Sequence, residues 1–406
     1  MLLTHLSLTN FRNYARLDVD VPGGPVLLVG GNAQGKTSLL EAIYFLATFV
    51  SFSASNDRQL INFLAGREPL AVARIVADFC QSGTTSTANH KHRLEVRLIQ
   101  EQEGFNNAGR LRKEILLDGV KRKVGEAMGA FNAVLFLPHM LRVIEGSPEE
   151  RRRYLNLAMG QVVPQYAAYL SVYHRTLSQR NALLKQLGER GGDPAQLTYW
   201  DEQLAEVGAR IIHNRIRTLL ELERLAAHSH SELTRGEEVL RLNYQPSFDP
   251  SPKRPHQYAL PIDAPVDRSG ISVEKIRQGY LECLEKARSE ELARGATAIG
   301  PHRDEIRFLS NGIDLGVYGS RGQGRTAVLS LKLAEVAWMK EKTGQWPVLL
   351  LDEVLAELDT ARRHDLLMRL LESEQAMLTT TDLDLFEPDF VQRGRIWNIQ
   401  GGRLVI

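Results

Sequence analysis

The chain has 406 residues, 43% hydrophobic and 24% charged, with a net charge of +1 and only two cysteines, Cys80 and Cys283. That balance suits a folded chain of two or three domains, and it excludes a disulfide scaffold, a cysteine-built metal site and a disordered polyelectrolyte. Near-neutral bulk charge makes no case for nucleic acid, although Lys91–Arg93, Arg110–Lys113, Lys121–Lys123 and Arg151–Arg153 are local basic clusters that a polyanion could use.

In chain order, Leu2 to Phe11, Leu17 to Val21 and Val26 to Val29 have strand character, and Thr37 to Ala47 reads as a helix. Met1 to Asn10 lacks a basic segment followed by an apolar core. The most apolar stretch, Leu39 to Phe52, holds Glu41 and is too short to span a bilayer. A cytoplasmic protein with no membrane partner is therefore expected. Val72 to Phe79 and Leu94 to Ile99 alternate as strands do, and Asp118-Gly119 sits between apolar-rich arms as a hairpin turn. From Ser147-Pro148-Glu149-Glu150 the pattern becomes helical: a cap, a proline at the first position and acidic first-turn residues precede Arg151 to Met159. Further helices are expected from Pro164 to about Leu187 and from Leu197 to Leu233. The second of these, ~36 residues long, would reach roughly 55 Å. Asn243 to Ser269 is proline-rich and reads as irregular, and Ser272 to Ala293 returns to helix. Asn311-Gly312 marks another hairpin, Thr326 to Lys342 a helix, Val348 to Leu351 and Met377 to Thr380 buried strands, and Gly401-Gly402 a last turn.

The expected architecture is thus an α/β head split in sequence, 1–135 and 296–406, around a mostly helical lobe, 136–295.

Gly30-Gly31-Asn32-Ala33-Gln34-Gly35-Lys36-Thr37 fits G-x-x-x-x-G-K-[ST], with a strand before it and a helix after it. Glycines let backbone N–H groups turn towards phosphates, and the helix start adds partial positive charge. Lys36 reaches the β- and γ-phosphates of ATP, and Thr37 offers a hydroxyl to Mg²⁺. Ser38 follows directly. Val348 to Leu351 ending in Asp352-Glu353 is the companion arrangement, with Asp352 on Mg²⁺ and Glu353 placed to activate water.

Tyr318-Gly319-Ser320-Arg321-Gly322-Gln323 before a helix resembles the S-x-G-Q signature of ATP-binding-cassette ATPases, and Val354 to Asp359 resembles their D-loop. In that superfamily the signature of one subunit completes the ATP site of another. The resemblance therefore implies ATP contacts from Ser320, Gly322 and Gln323, and a homodimer held by ATP.

Leu8 to Tyr14, Leu39 to Tyr44, Gly146-Ser147-Pro148 leading into Arg151 to Leu155, Gly300 to Asp304 and Thr379 to Asp382 extend the likeness almost end to end. Together they resemble the RecF family of bacterial recombination mediators, compact relatives of the chromosome-maintenance (SMC) ATPases. The resemblance implies an ABC-type, SMC-like P-loop head and slow ATP hydrolysis. It also implies sequence-independent binding to gapped or junction DNA, and work with RecR and RecO in loading RecA. It further implies Arg12 on the nucleotide, Thr381 or Asp382 in the switch position, and DNA contacts from a basic cluster, for which Arg151, Arg152 and Arg153 are the choice.

Ala33, Ser38, Arg321 and Glu353 depart from the usual family residues without removing a phosphate or metal ligand. Phe136 to Leu141 offers no glutamine for a Q-loop, so His139 is read as a loop residue. Other SMC-like ATPases or a transporter's nucleotide-binding subunit are the alternatives. Short helices without sustained heptads weigh against a long-armed relative, and the absent Q-loop glutamine and switch histidine against a transporter.

Overall fold

The computed structural model describes residues 1–81, 90–101, 110–251 and 266–405. The chain divides into two compact units, Met1–Met140 with Met339–Ile406, and Leu141–Trp338.

The first unit holds two sheets over one core. A six-stranded sheet runs in the order 403–405, 395–400, 24–29, 375–380, 348–352, 133–136. Apart from the Arg403–Val405 edge its neighbours pair parallel. Ala133–Phe136 and Val348–Leu351 are buried at every residue, as strands covered on both faces must be. The first and last parts of the sequence therefore build one sheet, the split head that the strand pattern implied. An antiparallel sheet in the order 14–20, 2–11, 70–81, 90–101, 110–117, 120–122 makes the other layer. Between them lies the helix Lys36–Thr48, whose Leu39, Leu40, Ile43, Phe45 and Leu46 are buried in the shared core. Burying each such side chain stabilises the fold by about 1.5–3 kcal/mol.

The second unit is mostly helix: Pro148–Val162, Tyr166–Arg190, Thr198–Leu233, Val273–Arg294 and most of Arg321–Thr343. Ser147 and Glu150 form a reciprocal capping box that starts the first of them, as the sequence predicts. Leu204, Val207, Ile211, Leu219 and Leu222 form the buried stripe of the 36-residue helix Thr198–Leu233. A three-stranded sheet, 313–314, 305–310, 240–245, completes the unit.

Asp118-Gly119, Asn311-Gly312 and Gly401-Gly402 each take positive φ at both residues between paired strand ends, the two-residue turn that follows the right-handed twist of the strands.

Two expectations need correction. Leu240–Gln245 is a strand whose alternating burial runs into the stretch read as irregular. The lobe also extends beyond 295. Glu305–Ser310 pairs with Leu240–Gln245, so the hairpin and the signature helix belong with the helices, and the chain re-enters the first unit only after Trp338. Residues 252–265 of the proline-rich stretch lie outside the described residues.

Candidate functional site

The loop Gly30–Gly35 joins the strand Gly24–Val29 to the helix Lys36–Thr48 and lines a cavity of about 750 Å³. Its geometry is set from behind. Asn13 Nδ2 and the Gly402 amide both donate to the Gln34 carbonyl, at 3.0 and 2.8 Å, and the Tyr14 hydroxyl donates to the Gly35 carbonyl at 3.1 Å. With these carbonyls held at the back, loop amides are free to face the cavity. Gly35 has φ +116, and a Cβ there would lie 2.7 Å from Asn13 Nδ2, so only glycine fits. Gly402 is restricted in the same way, its Cβ falling 2.3 Å from the Asn13 carbonyl oxygen. Ala33 also takes positive φ, +61, which explains why glycine suits that place better.

Lys36 is 4% exposed and donates to the Gly30 and Gly31 carbonyls at 2.7 and 3.0 Å; its Nζ is 3.5 Å from Glu353 Oε1. Thr37 Oγ1 lies 2.9 and 3.0 Å from the two Asp352 carboxylate oxygens. Burial pushes the Asp352 carboxyl above its ordinary value and Glu353 adds to the rise, while hydrogen bonds from Thr379 and Thr37 and the charge of Lys36 offset part of it. A hydroxyl and a half-desolvated carboxylate are hard oxygen donors, and a divalent cation would relieve the strained charge, so these residues fit Mg²⁺. Among the described residues no cluster of three or more His, Cys, Asp or Glu could hold a metal.

The strand Gln375–Thr380 lies between the phosphate-loop strand and the strand ending in Asp352. Its register sets Thr379 opposite Asp352. The Thr379 hydroxyl donates to Asp352 Oδ1 at 2.8 Å and accepts from the Glu353 amide at 3.0 Å. It thereby fixes the Asp352 carboxylate and the backbone of Glu353, which sits at the uncommon φ of +51. Sequence reasoning missed Thr379, and the signal was its position at the end of a buried strand. The switch residues chosen instead, Thr381 and Asp382, are both exposed, and the Asp382 carboxylate caps the amide of Asp384.

Arg12 lines the cavity, yet its guanidinium is already engaged. It pairs with the buried carboxylate of Glu41 at 2.7 Å and donates to Ser53 Oγ and the Gln59 carbonyl. Burial opposes the charge on Glu41, but Arg12, Ser51 and Ser53 outweigh it and hold the carboxyl below its ordinary value. Asn32, Gln34 and Ser38 line the same cavity, with Phe63 and Leu64 as an exposed apolar rim. His139 is exposed on a short turn.

The signature lies in the second unit. Ser320 caps the 23-residue helix Arg321–Thr343: its Oγ accepts from the Gln323 amide at 3.2 Å, and Gln323 Oε1 accepts from the Ser320 amide at 3.1 Å. Ser320 and Gly322 are exposed. Capping uses a lone pair of the serine oxygen and leaves its O–H to donate outward, beside the free amides and positive end of the helix. The Gln323 side chain, by contrast, turns into the protein, donating to Glu238 Oε1 at 3.2 Å.

Several residues of the basic clusters are already engaged within the protein, although most of them are exposed. Arg151 makes a bidentate pair with Glu305 at 2.6 and 2.7 Å and donates to the Ile144 and Gly146 carbonyls, so it is withdrawn from the DNA-contacting residues. Arg152 donates to the Asp304 carbonyl, and only Arg153 of the three is exposed. Arg93 pairs with Asp78, Lys113 with Asp57, and Lys121 with Glu114. No helix among the described residues is long and apolar enough to cross a membrane.

A family model for the RecF/RecN/SMC N-terminal domain matches residues 2–389. The chain is 38% identical to the DNA replication and repair protein RecF of Roseiflexus castenholzii, aligned over 100% of this chain and 99% of that one. It is 36% identical to that of Bacillus subtilis, over 100% of both. A solved recombination mediator protein RecF–ATP of the RecFOR pathway superposes with a TM-score of 0.81 at 32% identity, covering 100% of this chain and 97% of that one. An SMC head bound to the C-terminal winged-helix domain of ScpA superposes with a TM-score of 0.51 at 15% identity, covering 100% and 98%, a likeness of fold alone.

Proposed function

This chain is a member of the RecF family with an ABC-type, SMC-like head, and we propose that it is an ATP-gated DNA-binding protein of replication and repair whose two copies close over two ATP molecules. One observation carries the reading. The phosphate-and-metal half of an ATPase site and a signature half with an outward serine are both built, each within its own unit. Val317 and Tyr318, 65% and 78% exposed just before the signature, give that surface the apolar character of a face that meets another copy.

Loop amides and Lys36 hold the β- and γ-phosphates, and the Phe63–Leu64 rim flanks the open side of the cavity. Thr37 and Asp352 would hold Mg²⁺, which when bound would supply positive charge to offset that of the phosphates. Glu353 lies within 3.5 Å of Lys36, orients the attacking water and accepts its proton. Ser320 and Gly322 of the second copy donate to the γ-phosphate, so hydrolysis weakens the contact that joins the copies. Turnover is slow, and DNA stimulates it.

DNA is held through its phosphates without base reading, at single-strand gaps beside duplex. In keeping with its relatives in the RecFOR pathway, the protein works with RecR and RecO to load RecA. Fluorescence anisotropy on a gapped duplex tests this. Binding should tighten with Mg-ATP, weaken steeply with salt, and lose its ATP response in Lys36→Ala. Equal affinity with and without ATP would sink the reading.

A further inference from the structure

The signature glutamine is held from beneath by a carboxylate that lies outside the ATPase motifs. Glu238 sits on the turn that leaves the long helix Thr198–Leu233. Its Oε1 accepts from Gln323 Nε2 at 3.2 Å, and its Oε2 accepts from Ser310 Oγ at 2.7 Å and faces His230 Nε2 at 3.2 Å. His230 is fully buried at the end of that helix, and its Nδ1 lies 3.0 Å from Ser330 Oγ, on the signature helix itself. The turn is clamped by Asn311. The Asn311 Oδ1 accepts from the Val239 amide at 2.9 Å, and its Nδ2 donates to the Glu237 carbonyl at 3.2 Å.

The two ends of the Gln323 amide differ by one atom, and only one orientation caps the helix. Oε1 must face the Ser320 N–H; a flipped amide would set N–H against N–H and open the cap. Glu238 decides between them, because an ionised carboxylate accepts hydrogen bonds and cannot donate one. Gln323 Nε2 and Ser310 Oγ both donate to it, His230 Nε2 packs 3.2 Å away, and the turn beneath it is fixed, so the carboxylate holds its place.

We propose that Glu238 is a positioning residue for the signature: by fixing the amide orientation of Gln323 it holds Ser320 and Gly322 in the geometry that meets the γ-phosphate on a second copy. The inference rests on the composite-site reading above. It also ties the signature to the end of the long helix and to the 305–314 hairpin through one carboxylate.

The test compares wild type, Glu238→Ala, Glu238→Gln, Gln323→Ala, the Glu238→Ala/Gln323→Ala double variant and Ser310→Ala. Each is measured for Mg-ATP affinity of the single chain, ATP-dependent self-association, kcat and KM. Losing a hydrogen bond to a charged group should weaken association and kcat roughly tenfold in Glu238→Ala, leaving single-chain ATP affinity unchanged. Glu238→Gln, whose amide can present either an acceptor or a donor to Gln323, should recover only part of the loss. Because Glu238 acts through Gln323, the double variant should be no worse than Gln323→Ala. Ser310→Ala removes another partner of the same carboxylate and controls for general loosening; it should keep association near wild type. Additive losses in the double variant, or equal losses in Ser310→Ala and Glu238→Ala, would overturn the assignment. So would wild-type association by Glu238→Ala. If wild type itself fails to associate with ATP, the composite-site reading fails first and the assignment falls with it.

Discussion

Both units bury charge, and they use it in opposite ways. In the helical unit Arg180, Asp201 and Glu291 are all 0% exposed, and Arg180 lies 2.7 Å from each acid. Arg215 donates to Asp304, the Pro301 carbonyl and Asn156, while Tyr244 and the Ser247 amide donate to Asp304. These groups are paired chiefly with one another, although Arg180 Nη2 has no hydrogen-bond partner among the described residues. In the head, Lys36, Thr37 and Glu353 line an open cavity, with Asp352 held against Thr37 behind them. Buried charge closed on itself locks helices together; buried charge opened to a cavity is available for chemistry. The difference lies in what the charges face as well as in how deeply they sit, for the Glu353 side chain is 45% exposed and that of Arg180 0%.

The largest effect that bears on this contrast is in the helical unit. Arg215→Met leaves Asp304 buried without its cation and should cost about 3–5 kcal/mol of stability in denaturant unfolding; a loss under 1 kcal/mol would mean the network is not structural. A pH effect of nearly that size comes from His302. Its Nδ1 lies 2.7 Å from the Tyr173 hydroxyl and its Nε2 3.2 Å from the Thr297 carbonyl, and burial pushes its pKa down to about 4. The unfolded chain takes up that proton near 6.5. The stabilisation is therefore complete above about pH 6.5 and is lost as pH falls towards 4, at most about 3 kcal/mol. His302→Gln should flatten this part of the stability–pH curve, and an unchanged slope would refute the assignment.

In the head the expected effects fall on ligand and rate. Lys36→Ala should weaken Mg-ATP binding roughly a hundredfold, through loss of charge-assisted phosphate contacts, with little change in the unfolding midpoint. A fold that collapses instead would make Lys36 resemble Arg215 and erase the contrast. Thr379→Val keeps the shape but removes the hydroxyl shared by Asp352 and Glu353, and should lower kcat roughly tenfold at nearly constant KM. Thr379→Ser should retain activity.

The phosphate loop and Asp352-Glu353 were legible because each is a short contiguous run whose backbone setting the flanking pattern announces. Thr379 was not, because its place depends on a parallel register that sets it opposite Asp352. Arg151 misled for a related reason. Three consecutive arginines read as a patch, but a helix points them in different directions, and Arg151 meets Glu305 from a distant strand. Leu240–Gln245 carried an alternating pattern that the following prolines obscured. The split of the head was readable as helix and strand runs. The lobe's true end was not, because Glu305–Ser310 looks like any other strand until its partner is known.

The central claim is that one chain holds half of each ATP site. Light scattering on Glu353→Gln, which retains ATP by slowing its hydrolysis, tests it most directly. With Mg-ATP the mass should double from the single-chain 45.6 kDa, and Ser320→Arg in the same background should remain at the single-chain value. A Glu353→Gln chain that binds ATP stoichiometrically yet stays at 45.6 kDa would contradict the account.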